Sequence, residues 1–131
     1  MSERITRKTA VVRGAFAAYL VFLFNRVWFS RLGKGIDGDL HIIRFVLNVI
    51  MFVPFGVLWP LVFAKAKTKI RQTAAAGLIL SLVIEAVQGI FGLGHVQTDD
   101  VIANVFGAMI GCGLEGWFIP IFSGTPKKPE R

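Results

Sequence analysis

Residues 45–64 read FVLNVIMFVPFGVLWPLVFA, with one amide, Asn48, two prolines, Pro54 and Pro60, and no charge. A helix needs about 20 mostly apolar residues to cross the ~30 Å hydrocarbon core of a bilayer, and this stretch has them. The neighbouring sequence repeats the pattern. Residues 73–94 contain one acid, Glu85, and residues 101–122 contain one acid, Glu115. An earlier run, 10–28, is weaker because Arg13 and Arg26 lie near its ends. Both side chains are long enough to snorkel towards a headgroup layer. The composition agrees: 54% of the 131 residues are hydrophobic, 18% are charged, and the mean hydropathy is +0.63. A soluble domain of this length carries more charge and a smaller apolar share.

The expected fold is therefore all-α, an integral membrane bundle of four transmembrane helices. The spans fall at approximately 10–28, 45–64, 73–92 and 100–122, in a single membrane domain over residues 1–131. No segment alternates as a barrel strand does. The basic N-terminus before an apolar run resembles a secretion signal, but no small-residue cleavage site follows Phe24, so a retained anchor is expected. The loop 30–41, SRLGKGIDGDLH, is polar and Gly-rich and reads as irregular. The tail 123–131, SGTPKKPER, is Pro-rich and basic and reads as disordered. The single cysteine, Cys112, lies inside the last span and has no partner for an internal disulfide.

The net charge of +7 would suggest nucleic acid in a soluble protein, but here it reports topology. Arg4, Arg7, Lys8 and Arg13 lie at the N-terminus, Lys65, Lys67, Lys69 and Arg71 between the second and third spans, and Lys127, Lys128 and Arg131 in the tail. Four spans place all three groups on one side, and the positive-inside rule makes that side cytoplasmic. The expected topology is N-in and C-in, with no nucleic-acid partner.

Polar groups inside spans are costly, so their placement is informative. Ser81, Glu85 and Gln88 follow an i, i+4, i+7 pattern and share one helix face. Asp100, Asn104, Gly107 and Gly111 do the same on the last span, and Asn48 lies about one turn into the second. With this topology Glu85 sits roughly 10 Å below the outer end of its helix, at ~1.5 Å per residue. Asn48, Glu85, Gln88, Asp99, Asp100 and Asn104 then converge at one depth in the outer leaflet. Asp99 and Asp100 also suit the positive end of the last helix's dipole and are able to cap its free N–H groups. Two readings follow: an interhelical hydrogen-bond network, or a ligand site built on such a network.

Gly107 and Gly111 form a small-xxx-small pattern, extended by Ala103, that lets a second helix approach. Pro54, Gly56 and Pro60 are expected to kink or loosen the second span and tilt Asn48 towards its neighbours. Glu115 is expected to meet a basic residue at the inner face. Trp28, Trp59 and Trp117 read as interfacial belt residues. His41 and His95 lack metal-ligand spacing, and no Ser-His-Asp, Cys-His or phosphate-loop arrangement is present, so no metal and no cofactor are expected.

Three motifs in register carry a family resemblance. They are N-x-x-x-F-x-P-F-G (Asn48, Phe52, Pro54, Phe55, Gly56), S-x-x-x-E-x-x-Q (Ser81, Glu85, Gln88) and D-D-x-x-x-N-x-x-G-x-x-x-G (Asp99, Asp100, Asn104, Gly107, Gly111). Over roughly residues 40–113 the chain resembles the VanZ-like family of small bacterial membrane proteins. The resemblance implies a cell-envelope setting. The family's namesake is associated with resistance to the glycopeptide teicoplanin, and similar proteins occur with exopolysaccharide synthesis. Members of the family often carry an arginine and a further aspartate before the acidic pair, in a turn like G-R-x-x-D-x-D-D. The corresponding residues here are Gly94 and Gln97, so that arginine is either lost or replaced by the adjacent His95.

The leading expectation is a binder of a membrane lipid or lipid-linked envelope precursor, with Asn48, Glu85, Gln88, His95, Asp99, Asp100 and Asn104 as the ligand-binding residues. An intramembrane enzyme using Glu85 or an aspartate as general base on a lipid-linked substrate is the first alternative. No nucleophile or metal set accompanies the acids, which favours the binder. The second alternative is a structural subunit of an envelope polysaccharide complex, docking a membrane partner or a second copy through the Gly107 and Gly111 face.

Overall fold

The computed structural model describes residues 2–30, 41–63, 69–92 and 97–123. These form four helices, α1 (Ser2–Ser30), α2 (His41–Val62), α3 (Lys69–Ile90) and α4 (Thr98–Ser123), and the described residues contain no strand. Helices α2, α3 and α4 are long and apolar enough to cross a membrane. α1 is the longest of the four helices, at 29 residues. The polar loop 31–40, the basic residues Lys65 and Lys67, His95 and the tail from residue 124 lie outside the described residues.

Each expected span lengthens as a helix. α2 begins at His41 rather than Phe45, which brings Arg44 into its first turn, and α3 begins at Lys69. α3 ends where Gly92 adopts φ 65°, with its N–H donating to the Gly89 carbonyl at 3.2 Å. Only glycine enters that left-handed region without a steric penalty, so Gly92 terminates the helix and turns the chain towards α4.

The core is built around α2, which packs most extensively on α4. The two run parallel and approach backbone to backbone through glycines. A Cβ added to Gly56 would sit 2.7 Å from the Ala108 carbonyl carbon, and one on Gly111 would sit 2.9 Å from Gly56 Cα. One on Gly107 would sit 2.9 Å from Phe52 Cβ and 3.0 Å from the Val49 carbonyl carbon. The small-xxx-small face is thus used within the chain, against α2, as packing between membrane helices favours. α2 remains a continuous helix through Pro54 and Pro60. Gly56, expected to loosen it, instead supplies the close approach to α4.

α1 packs antiparallel on α2 through Phe16, Tyr19, Leu20 and Leu23, and the Tyr19 hydroxyl donates to the Met51 carbonyl. Phe16, Phe55, Trp59 and Phe63 form a ring cluster, with Phe55 and Trp59 stacked at 5.6 Å and Trp59 4.5 Å from Phe63. Trp59 therefore takes part in the α1–α2 packing. Its cluster partners lie at i−4 and i+4 along α2, the spacing that stacks side chains on one face. Trp117 is exposed, as a belt residue would be.

Candidate functional site

At one end of the bundle α2 and α4 begin and α3 ends. Three helix termini therefore deliver polar groups to one place, and the stripes along the helices decide which groups meet. On α3 the buried stripe runs Gly77, Ser81, Ile84, Glu85, Gln88. On α4 it runs Asp100, Ala103, Asn104, Gly107, Ala108. Both stripes follow the 3.6-residue period, so the polar members stay in line with the glycine and alanine positions that bring the helices together.

Asp100 is only 7% exposed, and its Oδ2 lies 3.2 Å from Nη2 of Arg44 on α2. This ion pair joins the first turns of two parallel helices. A buried carboxylate without a counter-charge carries a large desolvation penalty, and the guanidinium offsets it at hydrogen-bonding distance. Both α4 acids also lie in that helix's first turn, where the dipole favours negative charge. Asp99 is exposed and faces the surface.

Glu85 is 5% exposed, and its Oε2 accepts from the backbone N–H of Gln97 at 3.4 Å, so α3 grips the entry to α4. One turn deeper, Asn104 Nδ2 donates to Ser81 Oγ at 2.8 Å, and both side chains are buried. Gln88 is buried one turn above Glu85 on the same stripe. Asn48 is half-buried on α2, one turn beyond Arg44, with no hydrogen bond to these groups among the described residues. The site therefore has two layers. Arg44, Asp100, Glu85 and Gln97 make a charged layer at the mouth, and Ser81 and Asn104 tie α3 to α4 beneath it.

A cleft of about 240 Å³ opens at this mouth. His41, Arg44 and Phe45 line its α2 side, and Gln97, Asp99 and Asp100 line its α4 side. Its chemistry is mixed, with a guanidinium, an imidazole, an amide and two carboxylates around an apolar floor. Such a surface suits a ligand that is both charged and hydroxylated or amidated, rather than a bare anion or cation.

Of the residues picked from sequence, Glu85, Gln88, Asp100 and Asn104 are buried together, Asp99 lines the cleft without entering the interior, and Asn48 is peripheral. Arg44 escaped the sequence reading because it falls one residue before the apolar run at 45–64. The available signal was its i−4 spacing from Asn48, which puts it on the polar face of α2. A guanidinium does stand beside Asp100, and it comes from α2. Glu115, at the far end of α4, pairs with Lys69 Nζ at 3.0 Å, the basic partner its position called for.

The VanZ/LLP1 family model matches residues 4–119. Protein VanZ of Enterococcus faecium is 39% identical over 69 residues, covering 53% of this chain and 42% of that protein. The chain therefore aligns to less than half of that relative's length. No solved structure matches it.

Proposed function

The chain belongs to the VanZ/LLP1 family, and we propose that it is a four-span bacterial inner-membrane protein that binds a headgroup-bearing or lipid-linked ligand of the cell envelope. In this reading α1 crosses with the other three helices, both termini are cytoplasmic, and the cleft end faces outward at headgroup depth. Arg44, Glu85, Gln88, Asp99, Asp100 and Asn104 form the binding surface, with Asn48 beside it, and His95, two positions before Gln97 in the sequence, is assigned to the same set.

The observation that carries the proposal is the Arg44–Asp100 pair at 3.2 Å, its carboxylate buried and its guanidinium 40% exposed beside the cleft. Helix packing alone gains little from intramembrane polar contacts, about 0.6 kcal/mol each on average. A charge pair at the rim of an open cleft is better matched to a polar ligand. The pair gives the guanidinium a fixed direction, and a fixed planar donor recognises phosphate or carboxylate oxygens by two parallel hydrogen bonds. Teicoplanin resistance, associated with the family's namesake, is the first phenotype to measure.

Expression in a susceptible host, with the minimum inhibitory concentration of teicoplanin as readout, tests the proposal. Arg44→Ala, Asp100→Ala and Glu85→Ala are expected to abolish the phenotype with each protein still folded in the membrane. Normal activity in Asp100→Ala and Glu85→Ala together overturns it. Turnover of a purified lipid-linked substrate that disappears on Glu85→Gln would assign an enzyme instead. Normal activity in Glu85→Gln, with one stable co-purifying partner, would assign a structural subunit.

A further inference from the structure

The stripe by which α1 packs on α2 runs Leu23, Leu20, Tyr19, Phe16 towards the N-terminus of α1. The same stripe continues as Val12 and Arg13, then Thr9 and Lys8, by i, i+4 steps. α2, running antiparallel, ends at Val62. The last turns of the stripe therefore face a cleft of about 170 Å³ between three helices. Lys8, Thr9, Val12 and Arg13 of α1 form one wall, with Leu61 and Val62 of α2 and Ile119 of α4 opposite. This cleft lies at the end of the bundle away from Arg44 and Asp100.

Its chemistry differs from that of the first cleft. Two cations and a hydroxyl stand over four aliphatic side chains, and among the described residues no carboxylate lines it. Glu115, one turn before Ile119, is held by Lys69 at 3.0 Å and is directed elsewhere. Arg13 makes no hydrogen bond or ion pair among the described residues, and α2 has no basic residue in its last turn. Cations a turn or so apart above an apolar wall, at the end of a membrane-spanning bundle, match an anionic headgroup with its glycerol and upper acyl segments.

We propose that the cleft formed by Lys8, Thr9 and Arg13 with Leu61, Val62 and Ile119 binds a phospholipid with an anionic headgroup. The site is separate from the proposed ligand cleft, on the opposite end of the bundle, and does not depend on what that cleft binds. The bound lipid ties the N-terminal turns of α1 to α2 and α4. That matters because α1 is the least tightly packed of the four helices.

The test uses the full chain purified in a neutral detergent, with its unfolding temperature read by intrinsic tryptophan fluorescence. Dioleoylphosphatidylglycerol is expected to raise the unfolding temperature in a saturable way, and dioleoylphosphatidylcholine is not. Lys8→Gln and Arg13→Gln should each weaken the apparent affinity about fivefold, and the double variant about 25-fold, from ~1 kcal/mol per cation at an anionic headgroup. Arg71→Gln removes an exposed charge on α3 outside the cleft and should leave the affinity unchanged. Equal stabilisation by the phosphatidylcholine overturns the proposal, as does a loss in Arg71→Gln as large as in Arg13→Gln. A full shift produced by glycerol 1-phosphate alone would assign the site to a soluble phosphate and overturn the lipid assignment. Should the double variant not fold, the two single variants give the same decision.

Discussion

Replacing Gly107 by alanine adds one methyl group where α2 and α4 approach backbone to backbone. Its Cβ would sit 2.9 Å from Phe52 Cβ and 3.0 Å from the Val49 carbonyl carbon, and closer still to the Val49 carbonyl oxygen. Carbon atoms in good contact stand ~3.5–4.0 Å apart, so α4 must retreat from α2 by roughly 0.5–1 Å. A backbone carbonyl in a continuous helix does not swing aside as a flexible side chain would, so the helices move as bodies. Overpacking of this kind costs about 1–3 kcal/mol. Asp100 lies seven residues, about 10 Å, up the same helix at ~1.5 Å per residue. A retreat of that size carries its 3.2 Å contact with Arg44 to the ~4 Å limit of an ion pair. Gly113→Ala is the control, because a Cβ there meets nothing within 4 Å on the same helix. Unfolding in detergent micelles, followed by titration with a denaturing detergent, measures both variants. Gly107→Ala should be destabilised by about 1–3 kcal/mol, and Gly113→Ala should fall within about 0.5 kcal/mol of the parent chain. Equal stabilities for the two variants would refute the assignment of α2–α4 packing to these glycines.

Two further expectations concern the polar groups. Ser81→Ala and Asn104→Ala each break the buried 2.8 Å bond between α3 and α4. A double-mutant cycle in micelles should show a coupling of about 0.6 kcal/mol, with ~1.7 as the upper end for membrane proteins. A coupling indistinguishable from zero would mean that the bond does not hold the helices together. Glu115→Gln and Lys69→Gln remove a pair whose lysine is 41% exposed, at the end of the bundle away from Arg44. Each should change stability by about 1 kcal/mol or less and leave teicoplanin susceptibility at the parent value. A susceptibility change as large as that of Asp100→Ala would place Glu115 in the functional machinery.

The fold class was legible because bilayer thickness ties the length of an apolar run to a helix. The runs around 45–64, 73–92 and 100–122 therefore became α2, α3 and α4 with ends shifted by only a few residues. The α3 and α4 halves of the site were legible for a related reason. Ser81, Glu85 and Gln88 on one face, and Asp100 with Asn104 on another, follow from helical period alone, and two antiparallel neighbours joined by a short turn bring those faces together. The partner of each group was not legible. Period and depth placed Asn104 near Glu85 and Gln88, yet it bonds Ser81, because a one-turn difference in depth decides which side chain is within reach. Pro54 and Pro60 suggested a loosened second helix, but α2 stays continuous and the nearby Gly56 is spent on contact with Ala108. Trp59 fitted an interfacial belt by position, and its stacking on Phe55 in the α1–α2 packing was not legible.

By itself, then, the sequence pointed to an all-helical chain of four membrane spans, of which α2, α3 and α4 are long and apolar enough to cross a membrane. It also placed a polar stripe on each of the last two. These are properties of single segments, set by hydrophobic length and the 3.6-residue period. The tertiary structure alone decided that α2 runs beside α4 with their first turns level. That register depends on glycine-to-backbone contacts among Gly56, Gly107, Gly111, Val49, Val53 and Ala108, which no one-dimensional period encodes. Through it Arg44, 56 positions away in the chain, becomes the counter-charge of Asp100.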